Sequence, residues 1–153
     1  MPYLGRVKQG SAMDERQRLI VEEFQGLASW EERYERLIRL GGALPALPAE
    51  QRTEAFKVRG CQSQVWLHAR LEEGRVRLAA DSDALIVKGL VALLLRVYDD
   101  RTPAEILATP PDFVAALGMR EHLSPTRSNG LAAMLKQIRL YATALQFSQG
   151  AGA

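Results

Sequence analysis

Cysteine is nearly absent: the 153-residue chain carries one, Cys61. A single thiol cannot close an internal disulfide. Nor can it supply the several thiolates that an iron–sulfur cluster or a structural zinc site takes from one chain. No resolving thiol is present, so chemistry at Cys61 runs alone or against a thiol on another molecule. Histidine is almost as scarce, with two, His68 and His122. His68 follows Cys61 by a stretch of strand that spans about 23 Å when extended, which excludes it as a local base. His122 approaches only through the fold. A stand-alone cysteine hydrolase, which needs a base within hydrogen-bond reach of its nucleophile, is therefore disfavoured. Both histidines read as structural. No histidines and carboxylates gather at metal-ligand spacing, and the glycines form no phosphate loop.

An excess of one charge is also missing. Twenty Lys and Arg stand against 18 Asp and Glu, a formal net charge of +2. The signs alternate in DERQR at 14–18 and WEERYER at 30–36. Such mixing describes solvated helix faces and gives no argument for nucleic acid or a membrane surface as partner. The longest apolar stretch, 84–95, is interrupted by Lys88 and falls short of the ~20 residues of a membrane span. The opening MPYLGRVKQGSAM lacks the continuous apolar run of a secretory signal. Residues 1–13 read as a flexible lead-in, and the expected location is the cytoplasm. The length suits one domain, expected over 14–147, with SQGAGA at 148–153 as a fraying tail.

What is present is strong periodicity. Ile20, Phe24 and Leu27 fall on one helical face. Ser29 opens a capping box with Glu32, and Trp30, Tyr34, Leu37, Ile38 and Gly41 form the stripe of a second helix that ends at Gly41-Gly42. The middle of the chain reads as β. Phe56 and Val58 suggest a short strand. Val65, Leu67, Ala69 and Leu71 alternate with Gln64, Trp66, His68 and Arg70, and Val76, Leu78 and Ala80 follow a tight turn at Glu73-Gly74. Trp66 and His68 share a face expected to pack under a helix. Asp81-Ser82-Asp83 reads as caps for a helix over about 84–98, apolar nearly all round and so central. Thr102-Pro103-Ala104-Glu105 is a further capping box. A short helix ends near Gly118, and Ser124-Pro125 opens a last helix striped by Leu131, Met134, Leu135, Ile138, Tyr141 and Leu145. Helices, a three-stranded antiparallel meander, then helices make an α+β domain, the small sheet packed against several helices.

Within that frame Cys61 sits in the first hairpin turn, Gly60-Cys61-Gln62-Ser63, rather than inside a strand. The ordinary fate of a free cysteine is inert burial. A turn instead gives the sulfur reach, and Gly60 clears its approach. Lys57 and Arg59, if turned towards it, would favour the reactive thiolate. Arg127 is a cation in the first turn of the last helix, where it opposes the helix dipole, so a carboxylate or a functional contact is expected to hold it.

Gly60-Cys61-Gln62-Ser63-Gln64-Val65-Trp66 resembles the signature of the SufE-type sulfur acceptor proteins, partners of cysteine desulfurases. WEERYERLIRLG at 30–41, LPALP at 44–48, DSDALIVKGL at 81–90 and LSPTRSNGL at 123–131 resemble further blocks of that family, in the same order, so the likeness runs from about 14 to about 145. It implies an α+β fold close to IscU-like iron–sulfur scaffolds. It also implies that Cys61 receives persulfide sulfur from a desulfurase, stimulates that enzyme and delivers sulfur to an iron–sulfur scaffold complex. This chain would need no cofactor, pyridoxal phosphate belonging to the desulfurase. Gly60, Gln62, Asp83 and Arg127 match family positions expected to set the cysteine loop or its contact surface, and Cys61 is expected to be partly buried in the free protein. The GCQSQVW wording favours the branch that serves the stress-responsive assembly system. Two other readings stand beside this one: an iron–sulfur scaffold, which a lone cysteine disfavours, and an interaction module in which Cys61 is inert.

Overall fold

The computed structural model describes residues 13–152, with side chains as far as Ser148. The expected lead-in, apart from Met13, lies outside the described residues. Of the expected tail, 148–152 fall within the backbone span of the last helix.

Helix α1 (Glu15–Gln25) buries Gln17, Ile20 and Phe24. Gln17 is an internal polar side chain with both ends satisfied: its Nε2 donates to Pro110 O at 2.9 Å, and its Oε1 accepts from Phe113 N at 2.8 Å. Helix α2 (Trp30–Gly42) starts as the sequence implies, Ser29 Oγ accepting from Glu32 N at 3.2 Å. The Glu32 carboxylate reaches one residue further back than a capping box requires, to Ala28 N.

The sheet has two strands, not three. Strand β1 (Val65–Glu72) pairs antiparallel with β2 (Arg75–Ser82) in a register that sets Leu67 opposite Ala80, Ala69 opposite Leu78 and Leu71 opposite Val76. These alternate residues form the face that meets the core. The connection is tight, with Glu73 at φ 53° and Gly74 at φ 78°. Positive φ at both positions matches the twist of the strands they join. The expected first strand is reduced to one bridge, Lys57 to Trp66, together with Val58 N donating to Val65 O at 2.8 Å. Phe56 belongs to a 3₁₀ turn, Glu54–Phe56, which follows another at Ala49–Gln51. An alternation of two apolar residues is too short to hold an extended strand against local turn formation.

The same segment shows what lies against the Trp66–His68 face. Trp66 is buried under the 3₁₀ segment, not under a long helix. Arg52 lies over its ring at 4.9 Å, and Phe56 packs edge-on against His68 at 5.0 Å. The outer edges of both strands are partly occupied. Tyr141 Oη donates to Leu67 O at 2.9 Å. On the other side Val76 bridges Arg101, and Leu78 N donates to Asp99 Oδ1 at 2.7 Å.

Asp81-Ser82-Asp83 is not a helix cap. Strand β2 runs through Ser82, and the residue before helix α3 (Leu85–Tyr98) is Ala84, whose side chain caps nothing. Helix α3 is the central element the sequence implies, burying nine residues from Val87 to Tyr98. It crosses α2 where two glycines meet. A Cβ added at Gly89 would lie 2.2 Å from Leu37 O, and one at Gly41 would lie 2.8 Å from Gly89 N. Helices α4 (Pro103–Leu107), α5 (Asp112–Ala116) and α6 (Met119–His122) are short, and Thr102 and Glu105 form the reciprocal capping box at the start of α4. The long α7 (Pro125–Gly152) closes the core with Leu131, Met134, Ile138 and Ala142. Among the described residues no helix is long and apolar enough to cross a membrane.

Candidate functional site

Between Val58 and Val65 the chain leaves the sheet edge and returns. The two ends are clipped together by the Val58–Val65 hydrogen bond, and both valines are buried. Residues 59–64 therefore form a short loop anchored in the core at its neck. Gly60 sits at φ 92°, a conformation that costs a residue with a side chain about 1–3 kcal/mol. A Cβ there would also come 3.4 Å from Ala133 Cβ on α7, so the loop lies close against that helix.

Cys61 follows directly, and its side chain points to α7. Sγ stands 3.6 Å from Gly130 O, within the range of a weak S–H···O hydrogen bond. A Cβ added at Gly130 would be 3.7 Å from Sγ. The thiol thus rests where the helix surface is lowest, and Cys61 is partly buried, as expected. Burial pushes its thiol above the ordinary range, with no neighbouring charge to offset it. Neither Lys57 nor Arg59 lowers it. Lys57 pairs with Glu54 at 3.3 Å, and Arg59 is exposed. The resting thiol is consequently protonated at neutral pH and a poor nucleophile.

The far end of the loop is held by the segment that the sequence suggested as caps. Gln64 N donates to Asp83 Oδ1 at 3.1 Å and Gln64 Nε2 to Asp83 Oδ2 at 3.3 Å. Gln64 O accepts from Ser82 Oγ at 2.8 Å and from Asp83 N at 3.2 Å. Asp83 therefore fixes the loop through Gln64, without touching the cysteine. Net hydrogen bonds of this kind contribute about 1 kcal/mol each. Asp83→Ala is expected to raise the rate of iodoacetamide alkylation of Cys61 several-fold, roughly the factor of 5 or more that one or two kcal/mol of lost closure corresponds to. An alkylation rate equal to that of the unaltered protein would remove Asp83 from control of the loop.

Gln62 is exposed on the loop. A hollow of about 360 Å³ opens beside it, lined by Lys57, Arg59, Cys61, Gln62 and Gln64 among others, with no histidine. His122 is occupied elsewhere, stacked on Trp30 at 4.5 Å with Nδ1 2.9 Å from Gly118 O. A second hollow, of about 550 Å³, shares Ser63 with the loop and is lined by Ile38, Leu85, Ile86, Thr126 and Arg127. Leu85 is 68% exposed there, more than Ile38, the other exposed large apolar side chain lining it. Arg127 stands 5.8 Å over the ring of Tyr34, so an aromatic face, not a carboxylate, holds it. The structure brings Gly60, Cys61 and Gln62 together in one loop and puts Asp83 at its base. Arg127 lies across the adjoining hollow.

Two contributors were not singled out from the sequence. Gln64 carries every contact between the loop and Asp83, and its place inside the signature heptapeptide was the available signal. Gly130 supplies the resting place of the thiol. Its signal was a glycine within a helical stripe, where it costs about 1 kcal/mol relative to alanine.

A family model described as SufE, the Fe-S metabolism associated domain, matches residues 18–142. An uncharacterized SufE-like protein of Synechocystis is 43% identical over 133 residues, covering 87% of this chain and 84% of that protein. The solution structure of a hypothetical protein from Thermus thermophilus superimposes with a TM-score of 0.72 at 28% identity, over 86% of this chain and 96% of that one.

Proposed function

The chain belongs to the SufE family, and on that premise we propose that Cys61 accepts sulfur from a cysteine desulfurase and carries it, as a persulfide, towards iron–sulfur cluster assembly. The observation that carries this reading is the placement of the chain's one thiol on a glycine-hinged loop, resting on Gly130 beside an exposed apolar hollow. The Cys61 thiolate attacks the outer sulfur of the desulfurase persulfide. A new S–S bond forms at Cys61, the donor's S–S bond breaks, and the donor cysteine leaves as a thiolate. Removing that sulfur frees the donor cysteine for another cycle, which is how the acceptor stimulates the desulfurase. Pyridoxal phosphate chemistry stays on the desulfurase.

Because burial keeps the resting thiol protonated, the loop leaves its niche when the desulfurase docks. Leu85, Arg127 and the exposed Gln62 supply contacts around the opening. A lone reactive thiol also suits a reducing, cytoplasmic setting. An iron–sulfur scaffold complex then takes the sulfur. A scaffold role for this chain itself has less support: among the described residues no group of three or more His, Cys, Asp or Glu stands where it would hold a metal ion.

Incubation with a cysteine desulfurase and free cysteine, followed by peptide mass spectrometry, is expected to show one added sulfur on the peptide containing Cys61. No gain with desulfurases of either branch would leave the interaction-module reading in its place. Arg127→Ala is expected to slow this uptake without lowering the melting temperature by more than a degree or so, as surface substitutions lie within about 0.5 kcal/mol. Unchanged uptake would exclude Arg127 from the docking surface.

A further inference from the structure

We propose that the groove between α7 and the short helices α5 and α6 is a docking site for an acidic segment of a partner protein, anchored by apolar side chains and held independently of the cysteine loop. The proposal stands apart from the sulfur chemistry and holds whether or not Cys61 carries sulfur.

Two adjoining hollows form the groove. One, of about 440 Å³, is lined by Val114, Leu123, Leu131, Ala132 and Leu135, with Arg120 beside them. The other, of about 340 Å³, shares Val114, Arg120 and Leu135 with it and continues to Pro111. Along α7 the lining runs from Pro125 to Leu135, about 15 Å at helical rise. That length suits a few turns of a bound helix laying its apolar side into the groove. The row Ser128, Ala132 and Leu135 lies roughly half a turn around α7 from Gly130 and Ala133, which meet the cysteine loop. A partner seated on the loop therefore leaves the groove open.

Charge selects the occupant. Between Pro125 and Ser148, α7 carries Arg127, Lys136 and Arg139 and no acid. Lys136 and Arg139 continue the lining row one turn beyond Ala132 and Leu135. Elsewhere cations are neutralised, Arg36 and Arg96 by Glu23, Lys88 by Asp81 and Arg101 by Asp14. Among the described residues Arg120, Lys136 and Arg139 have no carboxylate partner, and Arg139 donates to Leu107 O at 3.2 Å. Glu121 is the one acid in the lining. The start of α7 adds the positive end of a long helix dipole. Ser128 Oγ, in the wall of the larger hollow, is buried without a hydrogen-bond partner, and a carboxylate seated there completes it. Among the described residues that line the groove there is no aromatic ring for a base to stack on, and its floor is apolar, which favours a peptide over nucleic acid. A second copy of this chain fits poorly, since the acids of DERQR and WEERYER alternate with arginines.

The test uses the full chain and a labelled synthetic peptide about four helical turns long, blocked at both ends, with leucines three and four residues apart and glutamates between them. A second peptide carries lysine in place of every glutamate. Fluorescence anisotropy is expected to show saturable binding of the acidic peptide, weakened by added salt, and at least about tenfold weaker binding of the lysine peptide. Amide NMR shifts of the isotopically labelled chain should change at Val114, Arg120 and Leu135 and stay fixed over 59–64. The double variant Arg120→Glu/Lys136→Glu is expected to weaken binding about tenfold or more. Ala132→Trp, which fills the larger hollow without changing charge, should weaken it about fivefold. All three positions are exposed, so melting temperatures should hold to within a few degrees. Leu85→Ala, beside the cysteine loop, should leave the affinity within about twofold. Absence of saturable binding overturns the proposal, as do equal affinity in the charge-reversed variant and shifts confined to the cysteine loop. A uridine oligonucleotide that displaces the peptide would make the face a nucleic-acid site, and dimerisation abolished by Ala132→Trp would make it a contact between copies; either result also overturns it.

Discussion

Cys61→Ser is expected to lose all desulfurase-dependent sulfur uptake while keeping its fold. Serine is close in size to cysteine, and its hydroxyl can donate to Gly130 O, the acceptor that Sγ now faces at 3.6 Å. The side chain is only partly buried, so the stability change should stay within about 1 kcal/mol. A hydroxyl, however, is not ionised at neutral pH and forms no stable bond to a persulfide sulfur. No other thiol exists in the chain to take over. The pairing of measurements matters: thermal melting should place the variant within a few degrees of its parent, and intact-mass analysis should show no added sulfur. Uptake by the serine variant would mean that sulfur adds somewhere other than a thiol, and Cys61 would leave the mechanism.

Gly89→Ala is expected to lower stability more than an added methyl at any other of the described helical glycines. Its Cβ would fall 2.2 Å from Leu37 O and 2.5 Å from Leu37 C, both backbone atoms of α2. A side chain could rotate away from such a clash, but the backbone of a packed helix cannot. Either α2 and α3 separate, which opens the core at Leu37, Leu90 and Leu93, or both helices distort. Overpacking costs about 1–3 kcal/mol, and more when no rotamer relieves it. The better helix propensity of alanine returns at most about 1 kcal/mol. A net loss of roughly 2 kcal/mol corresponds to a melting temperature lower by about 4–8 °C in a chain of this size. Gly42→Ala is the control. It lies at the end of the same α2 helix, but nothing stands within 4 Å of its added Cβ, and its melting temperature should hold or rise slightly. If the two variants melt together, the helices do not cross as closely as described. The crossing also bears on the site, because α3 begins at Leu85, two residues beyond Asp83.

The elements legible in the sequence were those with a long period to read. Leu37 and Gly41 on α2, the nearly all-apolar α3 and the Leu131–Met134–Ile138 stripe of α7 lie where periodicity places them, and so do the two strands from Val65 and Arg75. The third strand failed because Phe56 and Val58 offered only two alternations, and a 3₁₀ turn met the backbone's needs locally. Asp81-Ser82-Asp83 misled for a different reason. Short polar side chains before a helix can cap it or bond elsewhere, and only the third dimension shows that Gln64 stands beside Asp83. The orientations of Lys57 and Arg59 were likewise undetermined by spacing, since Glu54 competes for Lys57 from one turn away. Cys61 and its loop were visible through the turn residues and the resemblance. The Gly130 niche was not, because the contact joins residues 69 positions apart.

The occupied margins of the two-stranded sheet govern how another protein can hold this one. Val65 O and Leu67 O on one side, and the Val76 and Leu78 amides on the other, already have internal partners. Those groups are the ones an incoming extended peptide would need to lengthen the sheet, and they are also the template for edge-to-edge aggregation. With that route partly closed, recognition falls more heavily to side chains. Affinity for a partner should therefore respond strongly to point substitution around the cysteine loop, and less to any backbone pairing that partner could offer.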